Sequence, residues 1–548
     1  MGKLFIFVFA ITFLASSGLT AQNYYWVGFT NKANSPWSLQ EPEAYLSQRA
    51  IERRERQLIA VDSLDLPVNP GYVAGILQLG ATLVHTSKWM NGVTVKATGS
   101  EFESGASQLP FVREVQLTKR AFETKSIRNK FKEPESPDRL LDIDTNLYGA
   151  SAAQVSQLNA HYLHNQDYKG QGIHIAVLDA GFYKADELQA FDSLWAGGQI
   201  LGTRDFAGGN QVFQEHYHGM SVLSAMGGNI PGQLIGTAPK ASYWLIRSED
   251  VFSEFLIEED NWVAAAEFAD SVGADIINSS LGYFLFDDPG MDHSYSDMDG
   301  NTTRVTKGAN IAATRGMLIF ASAGNEGRNS ETWRYIIAPS DGHHVIGVGA
   351  VNGEGIAAPF TSHGPASDGS VKPNVAAVGW NTIIQRQNGT VGPGNGTSFS
   401  SPVIAGAAAC LWQANPQATS MDMKNAIEQS AHLYDQPDTL MGYGIPDLKL
   451  ADKIIKSNLP EKWDKNSIWL AYPNPASDYI ILQKSSSISK EKVILSFYTT
   501  DGKLIRQEKR SDAAKIVIQN LQELPMGLLL LQIISGDVAE TVKIRRSP

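Results

Sequence analysis

The stretch "GNGTSFSSPVIAGAAACLWQ" places Ser398, Ser400 and Ser401 within four positions and follows them with a run of tiny residues. A serine hydroxyl becomes a nucleophile only when a base lies within hydrogen-bond reach and a third group fixes that base. Acyl transfer also needs a donor for the developing oxyanion. Candidates for each part stand elsewhere in the chain. Asp179 closes "AVLD", His218 opens "HGMSVLSAMGG", and Asn325 sits in "ASAGNEG". His216 competes with His218, but only His218 is followed by glycine and a small-residue run. The chain order is Asp, His, Ser. A G-x-S-x-G elbow would put the serine first and require glycine where Ser400 stands, so that alternative fails twice.

These residues need elements to hold them. Ala405, Ala407, Ala408 and Ala409 are strong helix formers, and Pro402 is expected near the first turn of that helix. Gly406 inside it costs roughly 1 kcal/mol relative to alanine, so another backbone or side chain is expected to approach closely there. From about 145 to 455 short apolar runs ("GIHIAVLDAGF", "SYWLIRS", "ADIINSSLGY", "GMLIFASAGN", "HVIGVGAV") alternate with helical ones such as "EEDNWVAAAEFADSVG". That alternation predicts an α/β fold with a parallel sheet wrapped by helices and a site at the strands' carboxyl ends. Asp179, Gly282 and Asn325 all fall at such ends.

The flanks read differently. Residues 22–125 mix a charged amphipathic helix, "EPEAYLSQRAIERRERQ", with a strand pair turning at Asn91-Gly92, an α+β pattern. "LTKRAFETKSIRNKFKEPESPDR" is polar and lacks a core pattern, which predicts an exposed linker, assigned to residues 126–144. From 465 to 548 short strands separated by Asp-Gly and Gly-Asp predict a small all-β sandwich. Residues 1–21 have one lysine, an apolar run of about a dozen residues and small residues up to Ala21, the layout of a secretory signal peptide. In 548 residues, 43% hydrophobic and 19% charged, several domains are expected; the net charge of −12 argues against a general nucleic-acid or anionic-membrane surface. The single cysteine, Cys410, excludes an intramolecular disulfide and reads as a small packing residue.

Over residues 145–456 the chain resembles the subtilases, the subtilisin-like serine peptidases. The resemblance rests on four blocks in order, "AVLDAGF", "HGMSVLSAMGG", "SAGNEG" and "NGTSFSSP", with "KPNVAAVG" and "GYGIPD" in support. It implies a subtilisin-like sheet in which Ser398 attacks a peptide carbonyl and His218 takes and returns the proton. Asp179 would orient the imidazolium, and Asn325 with the Ser398 N–H would receive the oxyanion. Ser400 and Ser401 would then be capping hydroxyls. The resemblance further implies that Ser280, Leu281 and Gly282 form an edge for extended substrate, and that with Ser322 and Gly324 they wall a pocket for a large apolar side chain. Met220, Ala180 and Phe399-Ser400 depart from the family's usual residues without removing a reacting group.

The implied protein is a secreted serine endopeptidase made as a zymogen, acting on protein or peptide substrates through an acyl-enzyme. Residues 22–125 take the place of its pro-domain. Residues 465–548 resemble a type IX secretion sorting domain, on "YPNPASDYI", "FYTTDGKLI", "LPMGLLLLQI" and the basic close "KIRR", although Leu528-Leu529 replaces a frequent isoleucine-tyrosine pair. That implies transit through the periplasm, contact with outer-membrane secretion machinery, and release or display at the cell surface. No cofactor is required and no metal ligand set is assigned. Asp287, Asp288, Asp292, Asp297 and Asp299 could hold Ca²⁺, but an EF-hand register would start at Tyr295 and end at Thr306. Two other readings stay open: an inactive subtilase-fold binding or adhesion protein, and a metal-dependent hydrolase built on those aspartates.

Overall fold

The computed structural model describes residues 22–121, 130, 131, 133, 134, 147–209, 211–328, 332–458, 468–472, 476–484, 492–513, 515–536 and 538–546. The signal segment 1–21 lies outside the described residues, as does most of 126–144. Seven parallel strands form the central sheet, in the spatial order Val375–Val378, Val345–Val351, Leu318–Ser322, Ile276–Ser279, His174–Asp179, Ser242–Arg247, Ile200–Asp205. The strand His174–Asp179 comes first in the chain yet lies inside the sheet. The chain runs outward to Ile200–Asp205, returns through Ser242–Arg247, and then crosses to Ile276–Ser279 on the far side. A crevice opens where that order reverses, and Asp179 and Ser280 stand at its lip. The expected strands are therefore present, in continuous apolar runs buried on both faces.

Two helices close the same face of the sheet. His218–Gly227 is buried at all ten positions, and Thr397–Ala414 is buried except near its ends. They pack together because their contact surfaces are small. A methyl group added at Gly406 would lie 2.2 Å from Thr237 Oγ1 and 3.3 Å from Met226 Cγ, which supplies the close approach expected from the sequence. Cys410 packs beside it with its thiol donating to the Thr237 carbonyl at 3.1 Å, and burial pushes its pKa well up.

The N-terminal region is a four-stranded antiparallel sheet, ordered Thr82–Ser87, Gly92–Ala97, Asn23–Phe29, Val112–Lys119, with helices Pro70–Leu77 and Gly99–Ser107. Asn91 takes a left-handed φ of 52° at the predicted turn. The charged helix is shorter than its pattern, Gln48–Gln57, and its basic side chains do not all face water. Arg53 and Arg54 are 1% exposed, and both reach Asp270 on the helix Ile257–Ser271, at 2.5 and 2.9 Å. Lys88 Nζ meets the same carboxylate at 2.7 Å. Glu267, one turn earlier, accepts the N–H groups of Lys88 and Trp89 and the Ser87 hydroxyl. At this end of the helix the buried acids are compensated by cations and N–H donors that the N-terminal region brings, Arg53 and Arg54 from its helix and Lys88 from the turn after a strand.

The C-terminal strands form a three-stranded and a four-stranded antiparallel sheet around Trp469, Leu482, Leu495, Phe497, Leu531 and Ile533, as the sandwich reading anticipated. No helix among the described residues is long and apolar enough to cross a membrane.

Asp270→Ala removes the carboxylate shared by three buried cations, of which only Arg54 contacts another among the described residues, Asp65 at 2.6 Å. Differential scanning fluorimetry of the full chain should show a loss equivalent to about 3–5 kcal/mol, the usual consequence of removing one partner from a buried ion network. Its neighbours Lys88, Arg54 and Arg53 outweigh burial and hold the Asp270 carboxyl well below the usual range. The stabilisation is therefore complete above the unfolded value of about 4 and is lost only as pH falls toward the depressed value. An unchanged melting temperature in the variant at pH 7 would contradict the network's role.

Candidate active site

The structure brings Asp179 and His218 into direct contact. His218 Nδ1 lies 2.7 Å from Asp179 Oδ1, which also accepts the Ala180 N–H at 2.8 Å. Asp179 is fully buried, and its second oxygen has no partner among the described residues, so the imidazole and one amide carry its compensation. Two glycines permit this proximity. A Cβ at Gly219 would sit 2.5 Å from the Gly181 carbonyl and 2.7 Å from Asp179 Cβ. Gly181, at φ 147°, in turn leaves no room for a side chain against the His216 N–H. The glycine after the histidine is thus a packing requirement of the pair. His216 lies alongside as a hydrogen-bond acceptor for the His218 N–H at 3.3 Å; burial, and then His218 itself, lower its pKa to about 4.

Ser398 is the second residue of its helix and half-buried, between buried Thr397 and Phe399. Its Oγ donates to the Ser280 carbonyl at 3.4 Å rather than to His218. The reverse contact is shorter: Ser280 Oγ donates to the Ser398 carbonyl at 2.8 Å. Pro402 explains that bond. It lies beyond the first turn, as the sixth helical residue, so its missing N–H leaves the carbonyl four residues back unserved by the helix. That carbonyl belongs to Ser398, and Ser280 supplies the donor from a neighbouring strand end. The expectation of a first-turn proline is corrected accordingly.

Ser400 and Ser401 do not cap. Gly396 precedes the helix, at φ 148° and with no side-chain cap. Ser400 Oγ donates back to the Thr397 carbonyl at 3.0 Å, and Ser401 Oγ to Asn278 Oδ1 at 2.8 Å, tying the helix to the sheet. Asn325 is oriented by a residue that the sequence reading passed over. Thr397 gives both its N–H (2.8 Å) and its hydroxyl (3.0 Å) to Asn325 Oδ1 and accepts the Gly324 N–H at 3.2 Å. With the carbonyl end engaged, the amide's donor end is the one left to present. A threonine one place before the serine was the available signal.

Ser280, Leu281, Gly282, Ser322, Gly324, Asn325, Thr397 and Ser398 line one cavity of about 460 Å³, with Ile337 across from the glycines. The same cavity is lined by Lys130, Phe131, Glu133 and Pro134. The region read as an exposed linker thus enters the cleft: the Phe131 ring stands 4.7 Å from that of His218 and 4.8 Å from that of His216. A lysine- and glutamate-rich run has no apolar periodicity to announce such a contact, because the cleft it enters is itself acidic.

The five aspartates expected to cluster are each engaged by a separate backbone donor, four of them within their own loop and Asp287 across to another segment. Asp287 accepts the Glu254 N–H, Asp288 the Gly290 N–H, Asp292 the Phe286 N–H, Asp297 the Ser294 N–H, and Asp299 those of Asn301 and Thr302. Among the described residues the one group of three acids close enough to share an ion is another, Glu249, Glu254 and Glu258, with oxygens within 4.8 Å of one another.

A parallel sheet with a buried Asp–His pair, a serine at a helix N-terminus and an amide at the next strand end defines the architecture of a serine hydrolase of the subtilisin type. The family model described as "Subtilase family" matches residues 170–444, half of the chain, and the protein belongs to that family. The model "Peptidase S8 propeptide domain, Bacteroidota" matches residues 24–134, and "Secretion system C-terminal sorting domain" matches residues 470–545. Among curated relatives, Subtilisin E of Bacillus subtilis (strain 168) is 29% identical over 283 residues, 50% of this chain and 65% of the relative. Serine protease AprX of the same organism is 26% identical over 326 residues, 54% of this chain and 69% of the relative. Subtilisin of Bacillus pumilus is 28% identical over 283 residues, 50% of this chain and 90% of the relative. The chain therefore spans about two thirds of the length of Subtilisin E. The C-terminal match marks the protein for export, to the medium or the cell surface.

Ser280→Ala removes the hydroxyl that serves the Ser398 carbonyl. An unfolding free energy lower by about 1–3 kcal/mol is expected in urea titration, the cost of one buried acceptor left unmade. Ser280→Thr, which keeps the hydroxyl, should recover part of that loss; equal losses in both variants would show that the hydrogen bond is not the cause.

Proposed function

We propose that the protein is a secreted serine endopeptidase made as a zymogen, in which Asp179, His218 and Ser398 form the reacting triad. The observation that carries this reading is the buried 2.7 Å Asp179–His218 contact, with the ring of Phe399, the residue after half-buried Ser398, 6.0 Å from that of His218. The hydrogen on Ser398 Oγ turns from the Ser280 carbonyl toward His218 as substrate enters. His218 takes it while Oγ attacks the scissile carbonyl, then delivers it to the leaving amine; water repeats the sequence on the acyl-enzyme. The Asp179 carboxylate stabilises the imidazolium that forms. Asn325, held through Thr397, donates to the oxyanion together with the Ser398 N–H, and the helix N-terminus adds a positive field there.

The domain organisation supports the same reading: 1–21 signal peptide, 22–125 pro-domain, 126–144 linker, 145–456 catalytic domain and 465–548 sorting domain. The contacts of Lys130 and Phe131 in the cleft are those of a segment that blocks it until processed. Substrates are proteins or peptides, with Ser280, Leu281, Gly282, Ser322 and Gly324 around the side chain preceding the cleaved bond. The chemistry uses the chain's own side chains and backbone N–H groups and requires no cofactor. The C-terminal sandwich engages outer-membrane type IX secretion machinery after transit through the periplasm.

Casein hydrolysis and fluorophosphonate labelling by the processed protein test this directly. Ser398→Ala should abolish both. Asn325→Ala should lower kcat by about 10²–10³ with KM little changed, a magnitude carried over from subtilisin. Equal activity in Ser398→Ala would overturn the mechanism, and a wild-type protein that takes no label would mark it as an inactive member that binds rather than cuts.

A further inference from the structure

Beside the residues proposed to react, the cleft contains three buried carboxylates that the peptide-cutting chemistry does not use. Glu249 and Glu258 are only 1–2% exposed in their side chains, and Glu254 is 12% exposed. Glu249 and Glu254 line the same cavity as Ser398 and Asn325. The protein body offers this cluster few donors: the Tyr283 hydroxyl to Glu249 at 2.9 Å, and the Asp250 N–H to Glu258 at 3.3 Å. Burial and mutual repulsion raise the pKa of Glu254 to about 7 and that of Glu258 as well. The charge balance comes instead from Lys130. Its ammonium contacts Glu249, lies 3.1 Å from Glu254 and 2.9 Å from Glu258, and donates to the Ser253 carbonyl at 2.8 Å.

Lys130 lies within the propeptide match, beside the Phe131 that covers His218. Removing that segment would leave two or three carboxylates in a desolvated pocket with no cation, a costly state. The pocket is thus built around a cation that leaves with the segment.

Resting on the peptidase reading, we propose that Glu249, Glu254 and Glu258 form a specificity subsite selecting a lysine or arginine side chain on the acyl side of the cleaved bond, and that Lys130 is its occupant in the zymogen. An ammonium suits it: its three N–H donors are shared among three carboxylates and a carbonyl, each contact charge-assisted. The apolar pocket inferred from Ser280, Gly282 and Gly324 governs a different position, so the enzyme reads a basic residue and an apolar one together.

The test uses the processed protein and acetyl-tetrapeptide nitroanilides carrying lysine, arginine, norleucine or glutamate in turn at each of the four acyl-side positions. At one position kcat/KM for lysine should exceed that for norleucine by at least about tenfold, and glutamate should be rejected. Glu249→Gln/Glu258→Gln should bring the lysine-to-norleucine ratio toward one. Should that double variant fail to accumulate, Lys130→Met in the full-length chain tests the same pocket from the other side: it should speed fluorophosphonate labelling of the unprocessed protein. Active enzyme with no preference for a basic residue at any position would overturn the inference and leave the peptidase reading standing. So would calorimetric Ca²⁺ binding that depends on Glu249 and comes without a lysine preference. A protein that cuts none of the peptides and takes no label would remove the peptidase reading, and this inference with it.

Discussion

The closeness of His218 to Asp179 is the constraint on which the site depends. A hydrogen bond of 2.7 Å between a strand end and a helix start is possible only if the helix presses its first turn onto the strand. Gly219 allows this because any Cβ there would collide with Asp179 and with the Gly181 carbonyl. The same logic recurs at Gly406, where the helix of Ser398 meets Thr237 and the histidine helix. Both elements converge because small residues let their backbones approach, and His218 and Ser398, the groups proposed to react, sit at their N-termini. Substitution at these glycines would reach the chemistry without touching a reacting atom.

A second constraint acts from outside the catalytic region. The helix Ile257–Ser271 buries Glu258, Glu259, Asp260, Glu267 and Asp270, and each needs a partner to offset its desolvation; Glu259 finds His293 and Asp260 finds Arg304 within the catalytic region. At its C-terminal half the compensating groups are Arg53, Arg54, Lys88 and the turn N–H groups from the N-terminal sheet. At its N-terminal end they include Lys130. One helix therefore anchors the N-terminal domain at one end and borders the cleft at the other. Such interfaces specify a docked position more than they add net stability, since much of the Coulombic gain offsets desolvation.

The sheet was legible in the sequence because doubly covered parallel strands leave continuous apolar runs, and "HIAVLD" and "LIFAS" are unambiguous on that account. The candidate partners of Ser398 could be named from the sequence because each block pairs a chemical group with a glycine or small-residue run. Three things were not. The role of Thr397 depends on a contact with Asn325, 72 positions away, and no local pattern encodes it. The tertiary bonds of Ser280 and Ser401 arise from Pro402 and Asn278 and look like ordinary polar loop residues in the sequence. The burial of Arg53 and Arg54 and the partial burial of Lys130 contradict composition outright. Charged runs predict exposure, except where another element supplies opposite charge, and a one-dimensional pattern does not show that element.

The position of Pro402 connects these points. Placing it six residues into the helix removes one N–H and frees the Ser398 carbonyl from the helical ladder. The carbonyl then takes its hydrogen bond from Ser280, which begins the segment that walls the cleft. The nucleophile candidate and the substrate-facing wall are thereby fixed to one another through their own backbones. A regular helix would have satisfied the carbonyl internally and left the two elements to find their spacing through side-chain packing alone. An irregularity that costs the helix one hydrogen bond thus gives the cleft a fixed width at the point where a peptide carbonyl would meet Ser398.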